Sequence, residues 1–215
     1  VHVEFFASPE AVAVEKMKLV SSMKPEGVLI YNRDDKLIEE RLPEVLQRQT
    51  SYARYLDADV MAREDKTVYQ DDSAAGVKSR VMHGGESEQL FIKGTIGTQH
   101  LYAALAALAV AGELEVSFRE AVNSLQSFQT PNGRMKLIQG LKGTLIIDDT
   151  YNASPIANEQ ALQALNELTH TKRKIAVLGD MLELGKFSSD EHRKIGEKTA
   201  SSADILLTVG VRARQ

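Results

Sequence analysis

Three short apolar runs recur late in the chain: Leu145-Ile146-Ile147, Ile175-Ala176-Val177-Leu178 and Ile205-Leu206-Leu207-Thr208-Val209. Runs of this length, rich in β-branched residues, predict buried strands. Helical periodicity fills the gaps, over about 155–168 and 189–201, and Ser188 with Glu191 three residues on reads as a capping box for the second helix. Strand and helix alternating in this way predict a parallel βαβαβ sheet with helices on its faces.

The first part of the chain has a different rhythm. Ser8-Pro9-Glu10 places an N-cap, a first-turn proline and an acid in sequence, so a helix is expected from there to about Met23. Val12, Lys16, Leu19, Val20 and Met23 share one face of it, and Lys16 interrupts the apolar stripe. Residues 27–31 form a short apolar run that predicts a strand ending at the turn-prone Asn32-Arg33-Asp34-Asp35. Between Thr50 and Lys93, short alternating segments separated by Gly and Asp predict an antiparallel meander. Residues 101–111 and 117–125 read as two helices, the first of them buried. Residues 126–133, with Thr130-Pro131-Asn132-Gly133, are the best linker, dividing the chain into 1–129 and 130–215 as two separable folding units.

Composition narrows the classes. With 215 residues and 43% hydrophobic positions, the chain is long enough for two small domains with real cores. Its 26 Lys and Arg against 30 Asp and Glu give a net charge of −4, which argues against a duplex nucleic-acid binder. There are no cysteines, so a disulfide scaffold and a Cys-ligated zinc site are excluded, and a cytoplasmic setting is compatible. The longest apolar run is too short to span a membrane, and no signal peptide is visible at Val1-His2-Val3. The chain opens and stops in mid-pattern and is read as a piece of a longer protein.

In a parallel sheet, ligands gather beyond the carboxyl ends of the strands. Those ends carry Asp148-Asp149-Thr150-Tyr151-Asn152, Gly179-Asp180-Met181 and Gly210. Acids and amides there suit ligand binding, and equally suit capping of the next helix. Lys16, if its charge were disfavoured on an apolar face, could act as a neutral amine or take up CO2 as an anionic carbamate; otherwise its head snorkels to water. His2 lies fourteen residues before it. Arg134, just past the linker, offers a planar fork suited to phosphate, with a surface ion pair as the duller role. His192 reads as a surface histidine. Neither G-x-x-x-x-G-K-[ST] nor G-x-G-x-x-G occurs.

Taken together, Gly133-Arg134-Met135, Ile147-Asp148-Asp149-Thr150-Tyr151-Asn152-Ala153-Ser154-Pro155 and Val177-Leu178-Gly179-Asp180-Met181-Leu182-Glu183-Leu184-Gly185 resemble the Mur ligases, ATP-dependent amide-forming enzymes of peptidoglycan assembly. The spacing of the D-D-[ST]-Y-N-A and G-D-M-x-E-L-G runs points to the branch that joins D-Ala-D-Ala to UDP-MurNAc-tripeptide. His2 to Lys16 looks like the segment between the family's metal-binding histidine and its carbamylated lysine, and Asn32-Arg33-Asp34-Asp35 is similar to its N-x-D-D turn.

The resemblance implies an α/β fold: the latter part of a P-loop-type ATPase domain, with the meander, followed by the start of a Rossmann-like domain. The phosphate loop would lie upstream of Val1, so this chain alone is expected not to turn over ATP. It implies ATP and Mg2+ as cofactors, with His2 and the carbamate of Lys16 holding the metal. Arg134, Asp149 and His100 would meet ATP, and Tyr151, Asn152, Ser154 and Asp180 the substrates. A cytoplasmic monomer, with no nucleic-acid partner and no membrane insertion, is expected. One stretch departs from the pattern: where the family shows G-x-H-N-x-x-N-A-L, this chain has Gly97-Thr98-Gln99-His100-Leu101-Tyr102-Ala103-Ala104-Leu105. Both asparagines are replaced, by His100 and Ala103, and an alanine cannot pair with a base edge. That change favours a second reading, a non-catalytic binding module on the same scaffold. A sister ligase of the folylpolyglutamate type is the third, against which the Tyr151–Pro155 run counts.

Overall fold

A computed structural model of the chain describes residues 3–6, 8–169 and 171–214. Helix α1 (Pro9–Ser21) starts as its sequence dictates, with the Ser8 hydroxyl accepting the Ala11 N–H at 3.3 Å. None of its residues is buried, and Lys16 is exposed, so of its two readings the structure shows the one in which the amine reaches water. The helix rests against the short α2 (Lys36–Glu39) rather than on a sheet, which leaves Val12, Met17 and Val20 half-covered and Val14 and Leu19 exposed.

The first sheet has five strands in chain order: β1 (Val28–Asn32), β2 (Arg48–Ala53), β3 (Val60–Gln70), β4 (Ser73–His83) and β5 (Glu86–Lys93). It is mixed. β1 and β2 run parallel, and β2 meets β3 through a short parallel register, Tyr52 beside Val60 and Ala53 beside Met61. Only β3, β4 and β5 form the expected antiparallel meander. Alternation along a strand reports which face is covered, not the direction of its neighbour, so the parallel part was not legible. Helices α3 (Gln99–Glu113) and α4 (Phe118–Leu125) cover one face, burying Leu101, Leu105, Leu108 and Val122 against Val60, Val81, Leu90 and Ile92. Ser117 caps α4 by accepting the Glu120 N–H.

Beyond the linker, β7 (Leu145–Asp148) pairs antiparallel with β6 (Lys136–Gln139), a strand not anticipated from the sequence. Helix α5 (Pro155–Glu167) then leads to β8 (Ile175–Gly179), and α6 (Ser188–Ala200) to β9 (Ile205–Val209), parallel to β8. β7 is not hydrogen-bonded to β8, so the three expected strands are split between two two-stranded sheets. A crossover need not set successive strands side by side. The start of α6 also differs from expectation. A 3-10 turn at Gly185–Phe187 runs straight into the helix, Ser188 is already helical, and no side chain caps it. Glu191 pairs with Lys194 at 2.6 Å instead.

The two sides of the linker share apolar packing. Ala74 and Ile96 from the first part cluster with Met135, Ala164 and Leu168 from the second. Thr95 bridges to Lys136, its hydroxyl donates to the Met135 carbonyl at 3.0 Å, and the Leu137 N–H donates to the Gly94 carbonyl at 2.9 Å. Among the described residues no helix is long and apolar enough to cross a membrane.

Candidate functional site

The Gly133-Arg134-Met135 loop and the segment after β7 are built as one unit. The Gly133 N–H donates to Asp148 Oδ2 at 2.9 Å, the Met135 N–H to Asp149 Oδ1 at 3.1 Å, and the Tyr151 N–H to the Gly133 carbonyl at 3.1 Å. Gly133 has φ +71°, and a Cβ there would sit 2.8 Å from the Tyr151 nitrogen, so both backbone sign and space call for glycine. Met135 is also left-handed, at φ +54°, with its side chain buried. A non-glycine residue holds that conformation only where its surroundings enforce it.

This unit presents Arg134 on the surface. Its guanidinium carbon lies 3.8 Å from the centre of the Tyr151 ring, a close cation–π stack on an exposed tyrosine. From the other side of the linker, His100 at the start of α3 reaches across, its Nε2 2.7 Å from the Arg134 carbonyl. The His100 ring also packs against Phe128, with centroids 5.9 Å apart.

The carboxylates here differ in state. Asp148 accepts the Thr150 hydroxyl at 2.7 Å and the Gly133 N–H, and these hydrogen bonds hold it below the ordinary aspartate range. Asp149 is pushed above that range by burial, which outweighs the Met135 N–H and the positive charges of Arg134 and His100. A half-buried, under-compensated carboxylate beside an arginine is a common feature of binding sites.

The remaining anticipated residues are placed as follows. Tyr151 and Asn152 are exposed beside Arg134, and Asn152 Oδ1 accepts the Ala153 N–H at 2.9 Å. Ser154 is the N-cap of α5, accepting the Ala157 N–H. Asp180, beyond β8, accepts the N–H groups of Ala213 at 2.7 Å and Val211 at 3.2 Å, which lower its pKa and shape the loop after β9. Gly210 has φ +114° and its hydrogen faces that carboxylate, where a Cβ would collide. His192 is buried rather than on the surface. Its Nε2 accepts the Met181 N–H at 3.0 Å and its Nδ1 donates to the Ser188 carbonyl at 2.7 Å, because the 180–184 loop folds over α6. His2 lies outside the described residues. Glu4 nearby donates its N–H to the Glu183 carbonyl at 3.1 Å, so the first segment touches the G-D-M-x-E-L-G loop.

A second polar centre, not anticipated as such, sits beyond β1. Asp34 accepts the N–H groups of Arg54, Tyr55 and Leu56 at 2.7 to 3.2 Å and the Tyr102 hydroxyl at 3.0 Å. Burial raises its pKa, but those donors outweigh burial and the net shift is downward. Tyr102, half-buried and hydrogen-bonded to this carboxylate, is pushed up to about 12 by desolvation and then by Asp34. Arg54 lies near the rings of Tyr55 and Tyr102 and pairs with Asp65 at 2.6 Å. The turn residues signalled a sharp bend; the reach of Tyr102, sixty-eight positions away, carried no local signal.

Comparison with known proteins bears on both regions. The sequence profile of the Mur ligase middle domain matches residues 1–111, and that of the Mur ligase glutamate ligase domain matches residues 133–215. The UDP-N-acetylmuramoyl-tripeptide–D-alanyl-D-alanine ligase of Bacillus subtilis is 29% identical over 199 residues, covering 91% of this chain and 40% of that protein. The chain thus spans about two fifths of the length of the curated relatives it matches. A crystal structure of MurF from Acinetobacter baumannii superposes with a TM-score of 0.87 at 27% identity, covering all of this chain and 45% of that one. The MurF ligase of Thermotoga maritima, solved in complex with ADP, gives 0.86 at 25% identity, covering 100% and 48%. With matching profiles on both sides of the linker and the same arrangement of strands and helices as solved members, the chain belongs to the Mur ligase family.

Proposed function

We propose that this chain is the part of a D-alanyl-D-alanine-adding Mur ligase that closes over ATP and receives the incoming dipeptide, with its boundary between two family domains at 129/130. The observation that carries the reading is the joint construction of Arg134, Asp149 and Tyr151 at the carboxyl end of β7. In the reaction, the γ-phosphoryl group of ATP passes to the carboxylate of UDP-MurNAc-tripeptide. The amine of D-Ala-D-Ala then attacks the acyl carbon, the amide forms, and inorganic phosphate leaves.

Phosphoryl transfer is catalysed mainly by positioning and by charge. Arg134 supplies a guanidinium fork for the γ-phosphate. Asp149, with one oxygen on the Met135 N–H, retains acceptor capacity for a hydroxyl of the nucleotide. Tyr151 and Asn152, exposed next to Arg134, are placed to meet the dipeptide. Asp180 and Ser154 serve the site indirectly, by shaping the loops that carry it.

Lys16 stands exposed on α1, and a carbamate formed on it would be an anionic oxygen donor of the kind Mg2+ prefers. It would hold the ion with His2, offsetting phosphate charge. Among the described residues there is no group of three His, Asp or Glu side chains placed to bind a metal. The reading places the protein in the cytoplasm, where UDP-linked precursors are made.

The test uses the full-length gene product. Phosphate release from ATP is measured with UDP-MurNAc-tripeptide, with and without D-Ala-D-Ala. Release that depends on the dipeptide is the expected result. No release from a folded protein carrying a phosphate loop would overturn the reading in favour of a binding module, the alternative favoured by the loss of both asparagines at positions 100 and 103.

A further inference from the structure

Arg134 is held at two points, and only one of them belongs to its own side of the linker. Tyr151 supports the guanidinium. The backbone carbonyl is held by His100, which stands in the first turn of α3. That helix is rooted in the first core through Leu101 and Leu105, both essentially inaccessible to solvent. The imidazole is fixed in turn by its packing on Phe128, at the start of the linker. The loop it grips carries left-handed backbone on either side of Arg134, at Gly133 and Met135, so the carbonyl it takes lies at the most constrained point of the connection.

We infer that His100 is a positioning residue for Arg134, acting through the loop backbone rather than on the nucleotide. Its Nε2–H is committed to a carbonyl, so that nitrogen has no donor left for a base edge. The contact transmits the position of α3 directly to the residue proposed to meet the γ-phosphate. An asparagine carries its amide nitrogen nearer its Cα than a histidine carries Nε2, so a base-reading side chain and a loop-gripping one are distinguishable by reach. The latch itself is independent of the proposed ligase reaction; its catalytic consequence rests on that reading.

Two measurements test it. In the 215-residue chain, amide hydrogen exchange is followed at Met135 and Tyr151, whose N–H groups close the loop onto Asp149 and Gly133. With His100→Ala, exchange there accelerates about fivefold, the worth of one hydrogen bond, while Val81 and Leu90 amides in the first core do not change. Unchanged exchange at Met135 and Tyr151 overturns the latch. In the full-length protein, His100→Ala lowers kcat about fivefold and leaves KM for ATP within about twofold, and His100→Asn fails to rescue. A raised KM for ATP that His100→Asn restores would make His100 a base reader and overturn the inference. Should the wild-type protein show no dipeptide-dependent release, the ligase reading falls, and the exchange arm still decides the latch.

Discussion

Two carboxylates at strand ends, Asp34 beyond β1 and Asp149 beyond β7, are treated in opposite ways. Asp34 is saturated: three successive backbone N–H groups and a tyrosine hydroxyl converge on it, and its pKa falls although burial pushes it up. Asp149 receives one backbone N–H, and burial prevails, so its pKa rises. A saturated carboxylate stabilises the fold and has little left to offer a ligand. An under-compensated one costs stability while the site is empty and gains when a donor arrives. The difference separates architecture from candidate chemistry within one molecule.

The largest effect is expected at the saturated centre. Asp34→Ala strands three N–H groups and the Tyr102 hydroxyl, and should cost about 3 kcal/mol in a urea unfolding curve. A loss below about 1 kcal/mol would mean that water replaces the carboxylate easily, and the contrast with Asp149 would collapse.

Gly133→Ala comes next, at about 2 kcal/mol, since it adds left-handed strain to a clash with the Tyr151 backbone. It sharpens the comparison by loosening the unit around Asp149 without touching its charge. If thermal melting is unchanged, the joint construction of the Arg134 and Tyr151 loops is wrong.

The smallest effect is at Asp149. Asp149→Asn should alter stability at neutral pH by less than about 1 kcal/mol, and the informative quantity is its pH dependence. For Asp34, with its folded pKa lowered, the stabilisation is present above the unfolded pKa and is lost as pH falls toward the folded one. For Asp149, with its folded pKa raised, the sign reverses: the native state gains as pH falls through the folded pKa toward the unfolded one. Urea midpoints measured from neutral to acid pH should therefore show the wild type losing its advantage over Asp34→Asn and gaining on Asp149→Asn. Differences of the same sign would contradict the assignment.

Much of the local structure was legible. Ser8 caps the helix that Ser8-Pro9-Glu10 announces, because a cap depends on a few adjacent residues, and in the structure Ser117 and Ser154 cap α4 and α5 in the same way. The failures are all non-local. The capping box at Ser188 and Glu191 went unused because a 3-10 turn ran into the helix from upstream. β6 lies just past the stretch read as linker and was not anticipated, although Leu137-Ile138 ahead of Gly140 carried a faint strand signal. His192 was placed on the surface because nothing in its own helix shows that the Met181 loop folds over it.

At the candidate site, motif spacing picked out Arg134, Asp149 and Tyr151, since each lies in a short contiguous run. It did not reveal that the runs interlock, nor that His100 grips the Arg134 carbonyl from thirty-four positions away. Residue order thus determined most of the strand and helix inventory, the strand-end placement of the acids, and the family pattern itself, all properties of periodicity and short-range spacing. Tertiary structure decided strand direction and pairing, the exposure of Lys16, and which of two aspartates is satisfied. Those depend on donors and surfaces brought together across long stretches of chain, and only the packed backbone fixes where they meet.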